Sequence, residues 1–111
     1  MACSCEDRPE IRGQSYINSG GSESYSLASP LQRNLTEAYD CVHDETEWSL
    51  DPPTGLASLS KKGKLSVTVK ADGGSTGTVT LIAKTKSHCK CREDRHRIDC
   101  QGEAKKDIKI K

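Results

Sequence analysis

Six cysteines in 111 residues carry most of the chemistry this chain can do. Cys3 and Cys5 form one Cys-x-Cys pair, Cys89 and Cys91 form another, and Cys41 and Cys100 stand alone. An even number in a short chain reads first as a disulfide framework, which implies an oxidising compartment. The two halves of a Cys-x-Cys pair do not readily bridge each other, because the small ring is strained. Each therefore needs a partner elsewhere or a share in a metal. The metal alternative is a zinc or iron thiolate site made from Cys3, Cys5, Cys89 and Cys91, with Cys41 or Cys100 in reserve and His43, His88 and His96 close in sequence. The spacing from Cys89 and Cys91 to Cys100 is not a zinc-finger spacing, and Cys-x-x-C pairs are the usual zinc knuckle. Disulfides are thus the preferred reading, with no cofactor expected and the pairing left open.

Other chemistry finds little support. No Gly-x-Ser-x-Gly elbow, phosphate loop or zinc-protease motif occurs, so an enzyme is not expected. Asp40 with Asp44-Glu45-Thr46-Glu47 offers carboxylates for calcium, but the evenly spaced oxygen ligands and Gly bend are missing. Asn34-Leu35-Thr36 fits a glycosylation sequon. The three histidines lie in polar segments and read as exposed. Residues 84–97 are locally basic and could meet an anionic surface, yet Glu93 and Asp94 interrupt the charge and no aromatic is interleaved for base stacking. That argues against nucleic acid as the partner.

Composition limits the core. The hydrophobic fraction is 32%, cysteines included, with one Trp, three Tyr and no Phe. Such a small chain gains from covalent or metal staples. Net charge is +1, but residues 1–60 carry three basic and ten acidic side chains while residues 61–111 carry fourteen and six. The asymmetry favours contact between copies unless strands from the two halves interleave and cancel it. No stretch approaches the roughly 20 apolar residues that span a bilayer, so no membrane insertion is expected. The first eight residues lack the basic and apolar regions of a secretory signal. Either a leader has been removed, or the protein reaches an oxidising environment without one, as a virion protein released by lysis does.

The elements that must position the cysteines are strands. Leu65, Val67 and Val69 alternate with Ser66, Thr68 and Lys70, and Val79, Leu81 and Ala83 repeat the period of two. Turn residues from Asp72 to Gly77 separate these runs, and Ile108 and Ile110 alternate with lysines at the end. Tyr25, Leu27, Trp48 and Leu50 supply shorter runs, the last closed by Asp51-Pro52-Pro53. About seven short strands between Gly, Pro, Ser and Asp clusters predict an all-β sandwich. The predicted core is Trp48, Leu50, Leu65, Val67, Val69, Val79, Leu81, Ala83, Ile108 and Ile110. No amphipathic helix is evident, though residues 31–40 have room for one turn.

The succession Trp48-Ser49-Leu50, Gly55-Leu56-Ala57-Ser58-Leu59-Ser60, Gly63-Lys64-Leu65-Ser66-Val67-Thr68-Val69 and Gly77-Thr78-Val79-Thr80-Leu81-Ile82-Ala83 resembles the bacterial immunoglobulin-like domains of the group-2 and polycystic-kidney-disease-like types. The likeness covers roughly residues 9–86 and a last strand near 106–111. It implies an immunoglobulin-like sandwich over residues 9–111, preceded by a Cys-x-Cys segment at 1–8 and interrupted by a Cys-rich insertion at 86–105. Threading the strands in immunoglobulin order puts the start of the first strand, the loop holding Cys41 and the loop holding Cys89, Cys91 and Cys100 at one pole. A family likeness transfers a fold and not a site. Such domains occur in bacterial surface proteins and phage structural proteins, so the expectation is a non-enzymatic structural or adhesion module, extracellular, on a cell surface or in a virion. Its partner is then a protein, copies of itself or a surface glycan. The alternative is a small metal-binding protein on the same scaffold.

Overall fold

The computed structural model describes residues 8–28, 38–74, 76–92 and 95–111. Cys3, Cys5, the sequon at Asn34 and residues 31–37 of the possible helical turn lie outside them. The described chain is all β. Its strands are β1 (Glu10–Arg12), β2 (Tyr16–Ile17), β3 (Ser22–Ala28), β4 (Ala38–Asp51), β5 (Ala57–Ser60), β6 (Ser66–Ala71), β7 (Gly77–Cys91) and β8 (Arg97–Ile110). They form two four-stranded sheets, β1-β3-β6-β5 and β2-β8-β7-β4. All pairings are antiparallel except that of β2 with β8. Eight strands replace the seven expected because the first is broken at Gly13: β1 pairs in one sheet and β2 in the other.

The two sheets share one core in a sandwich-like arrangement. Ile11, Tyr25, Leu27, Ala57, Val67, Val69 and Ala71 of the first sheet pack against Ile17, Trp48, Leu50, Val79, Leu81, Ala83, Ala104, Ile108 and Ile110 of the second. These are the inward positions of period-two strands. The Asp72–Gly77 turn carries the chain from one sheet to the other, so β6 and β7 do not form a hairpin. Trp48 lies in one lateral row with Ala83 and Ala104, and its Nε1–H donates to the Gly63 carbonyl at 2.8 Å. Tyr25 donates its hydroxyl to the Gln14 carbonyl at 2.6 Å. Burial, with the nearby Glu23 charge, pushes its phenol up to about 12.

Nine of the ten predicted core residues are buried; Leu65 is not, at 46% exposed. β6 begins only at Ser66. Just before it the chain bends, with the Gly63 and Lys64 carbonyls taken by Trp48 and Thr46 of β4. The alternation seen in sequence therefore runs one residue past the strand.

The larger correction concerns residues 86–105. Residues 86–91 and 97–105 are strand and not loop: they continue β7 and β8, whose register runs unbroken from Gly77↔Ile110 to Lys90↔Arg97. β4 likewise extends back to Ala38, so Cys41 sits in a strand and not a loop. Strands of 14 or 15 residues outrun the seven-, six- and four-residue strands of the other sheet. At about 3.3 Å per residue the excess of β7 over β3 is roughly 25 Å. The outcome is a three-stranded arm projecting from the sandwich and an elongated molecule of 56 × 19 × 18 Å.

Candidate functional site

Chemistry changes row by row along the inner face of the arm. Beyond Trp48, Ala83 and Ala104 come Thr46, Thr85 and Gly102, then His43, Ser87 and Cys100, then Cys41, Cys89 and Ile98. Apolar side chains give way to hydroxyls and then to sulfur. Cys41 reaches its row through a bulge: Tyr39 faces Lys90 but Val42 faces His88, so residues 40 and 41 share the place opposite Cys89. Their Cα atoms are 4.1 Å apart for Cys41 and Cys89, and a disulfide joins the two across 48 residues of sequence.

Cys91 and Cys100 are disulfide-bonded as well. They do not bridge each other. Cys100 faces Ser87 and Cys91 lies four residues further out, hydrogen-bonded to His96, which puts the two about 13 Å apart along the ladder, beyond disulfide reach. Cys89 Sγ is 3.8 Å from Cys100 Sγ, so the sulfurs of Cys41, Cys89 and Cys100 lie together, with Cys91 further out toward the tip. Cys41, Cys89, Cys91 and Cys100 thus lie on strands of the arm and not on the loops expected for them, while Cys3 and Cys5 lie outside the described residues. For the thiolate alternative, the sulfurs of Cys89 and Cys91 are engaged in disulfides, and among the described residues no cluster of His, Cys, Asp and Glu could hold a metal.

The histidines have partners that the sequence did not disclose. His43 Nε2 lies 3.1 Å from the Lys64 carbonyl and 2.8 Å from Thr46 Oγ1, while Nδ1 lies 3.3 Å from Ser87 Oγ. A carbonyl only accepts, so Nε2 carries a proton, while Nδ1 and Ser87 Oγ share a hydrogen bond. Ser87 is 2% exposed. Through these contacts His43 ties the Lys64 bend to the root of the arm. A second bulge sets Asp44 between His43↔Ser87 and Glu45↔Lys86 and turns it to the outer face. There His88 Nδ1–H donates to Asp44 Oδ2 at 2.8 Å, with the Arg97 guanidinium 3.9 Å away. The His88 hydrogen bond, helped by the charges of His88, Arg97 and His43, holds the Asp44 carboxyl below the usual carboxylate range against partial burial.

On that outer face the charge asymmetry of the sequence is cancelled. The acidic β4 lies beside the lysine-bearing β7, placing Glu47 opposite Lys84 and Glu45 opposite Lys86. Lys86 Nζ is 3.4 Å from Glu45. Across the next ladder Lys84 faces Glu103 and Lys86 faces Gln101, and these side chains line a shallow groove of about 470 Å³. The carboxylates weighed for calcium are thus spread along a strand, Glu45 and Glu47 opposite lysines and Asp44 beside His88 and Arg97, while the Asp40 side chain lies outside the described residues. The basic run ends in a tight tip where Arg95, at φ 60°, donates its N–H to the Cys91 carbonyl. No helix among the described residues is long and apolar enough to cross a membrane. The chain matches no protein-family model, no curated protein and no solved structure.

Proposed function

We propose that the protein is a non-enzymatic, immunoglobulin-like structural or adhesion module working outside the cell or on a virion, with the disulfide-bonded arm as its contact element. The carrying observation is the arm. A sheet of three long strands extends past the sandwich and is covalently locked near its end by the Cys41–Cys89 bridge and by the bonded sulfurs of Cys91 and Cys100. Disulfides persist in oxidising environments. A stiff projection with a nearly neutral, ion-paired outer face suits docking to a protein or to another copy better than capture of a highly charged polymer.

The sheet orders support the immunoglobulin-like part of the reading. Taking β1 and β2 as two halves of a first strand, the remaining strands distribute as in constant-type domains: second, fifth and fourth in one sheet, third, sixth and seventh in the other. Trp48, buried on the third strand, occupies the place of the core tryptophan of that fold. Labelling intact, unpermeabilised source cells or purified particles with an antibody to this chain tests the location. Surface label is expected; label only after permeabilisation, with the thiols reduced, would refute the proposal.

A further inference from the structure

We infer that the arm is a dimerisation element, and that two copies join edge to edge along β8, antiparallel, with Gly102 on the two-fold axis. β8 pairs with β7 along its whole length. Its other edge meets β2 only at Lys109 and Ile110, where Lys109 N–H donates to the Ser15 carbonyl and Lys111 N–H to that of Ile17. Backbone groups alternate sides along a strand. In an unbroken register, therefore, the odd-numbered residues of β8 direct their N–H and C=O away from β7. Among the described residues nothing pairs with this edge from Arg97 to Asp107. Such a row of backbone groups is a template for another strand.

The midpoint of that open edge is Gly102. Its odd side chains read Arg97, Asp99, Gln101, Glu103, Lys105 and Asp107. Antiparallel pairing about Gly102 puts Arg97 opposite Asp107, Asp99 opposite Lys105 and Gln101 opposite Glu103, and the symmetry repeats each pair. Moving the centre to Gln101 sets Arg97 against Lys105 and Asp99 against Glu103; moving it to Glu103 sets Asp99 against Asp107 and Arg97 against Lys109. Both neighbouring registers juxtapose like charges, which is unfavourable. The central register also fills the edge from the start of β8 to the point where β2 takes over. The side chains that must re-partner are exposed and now hold exposed partners in their own copy: Arg97 Nε lies 3.1 Å from Asp99 and its guanidinium 3.9 Å from Asp44, Lys105 Nζ lies 3.4 Å from Glu103, and Asp107 accepts from the Thr80 hydroxyl at 2.8 Å. Because the complementarity lies within one strand, the occupant is a second copy of this chain, and the two arms form one six-stranded sheet.

The inference rests on the reading of the arm as a contact element, but its failure is separable: a monomer would overturn the edge pairing and leave the surface-labelling result as it stands. The test is sedimentation equilibrium on the oxidised full chain, comparing the parent with Asp99→Lys, Lys105→Asp and the double exchange. A dimeric parent is expected. Each single reversal places two like-charge pairs in the interface and should raise Kd roughly tenfold or more, and the double exchange should return it close to the parent value. Residues 99 and 105 are about 20 Å apart on one strand, so mutual rescue can only arise across the interface. A parent that stays monomeric at the highest attainable concentration overturns the inference. So does a dimer whose Kd ignores the single reversals, or one that the double exchange fails to rescue.

Discussion

Replacing Trp48 by Ala removes the largest side chain of the shared core. The indole is 5% exposed and sits in the row of Ala83 and Ala104, two side chains too short to move into the space it leaves. A site that cannot collapse lies at the upper end of the range for aromatic truncation, so a loss of about 4 kcal/mol is expected. About 1 kcal/mol of that belongs to the hydrogen bond from Nε1 to the Gly63 carbonyl. Trp48→Phe keeps a ring in the site and should cost only about 1–2 kcal/mol. The assay is urea unfolding of the oxidised protein followed by far-ultraviolet circular dichroism, because Trp48 is the only tryptophan and its removal abolishes the fluorescence signal. A Trp48→Ala variant within about 0.5 kcal/mol of the parent would refute the assignment of Trp48 to the shared core. Equal losses for Ala and Phe would refute the packing argument and leave the hydrogen bond as the main contribution.

Three further outcomes follow from the described contacts. A Cβ on Gly13 would lie 2.7 Å from Tyr25 Cε1, and the buried ring has little room to retreat, so Gly13→Ala should cost about 1–3 kcal/mol; an unchanged melting temperature would contradict the placement of Tyr25. The Tyr25 phenol, raised from 10.0 to about 12, favours the folded state below pH 10 and ceases to do so as pH climbs through 12. Absorbance titration should therefore find one phenol ionising late and the protein losing stability in that window, whereas a Tyr25 that ionises like a free phenol would contradict its burial. The Asp44 carboxyl is held low, so its contribution is present above the ordinary carboxylate pKa and disappears as pH falls. Asp44→Asn should be less stable than the parent at neutral pH, with the gap closing in acid; a gap that is constant with pH would contradict the His88 contact.

How much of this was legible in the sequence depended on which side chains faced inward. β6 and the first half of β7 announce themselves because Val67, Val69, Val79 and Leu81 alternate with polar residues. The outer half of β7 keeps the same period, but its inward positions are Thr85 and Ser87, which a hydropathy pattern scores as polar, then Cys89 and Cys91, which read as disulfide or metal candidates before they read as core. β8 hides in the same way behind Gly102 and Lys106. In β4 the inward set shifts from the odd positions Cys41 and His43 to the even positions Thr46, Trp48 and Leu50, because of the bulge at Asp44. Periodicity is lost at that step, which is why only the Trp48 end read as a strand. Strand order led to the expectation of Cys41, Cys89, Cys91 and Cys100 on loops, whereas they lie in strands β4, β7 and β8, and the His43 contacts and the Asp44–His88 pair depend on bulge geometry that no local pattern encodes.

The most direct test of the account is a non-reducing digest of alkylated protein, with tandem mass spectrometry and a native mass spectrum of untreated material. Expected are a peptide pair linked through Cys41 and Cys89, Cys91 and Cys100 in disulfides that do not join them to each other, and no alkylated thiol. Alkylation at Cys89 and Cys91, accompanied by a native adduct with the mass of zinc or iron, would contradict the stapled arm and make the thiolate metal site the better description of this protein.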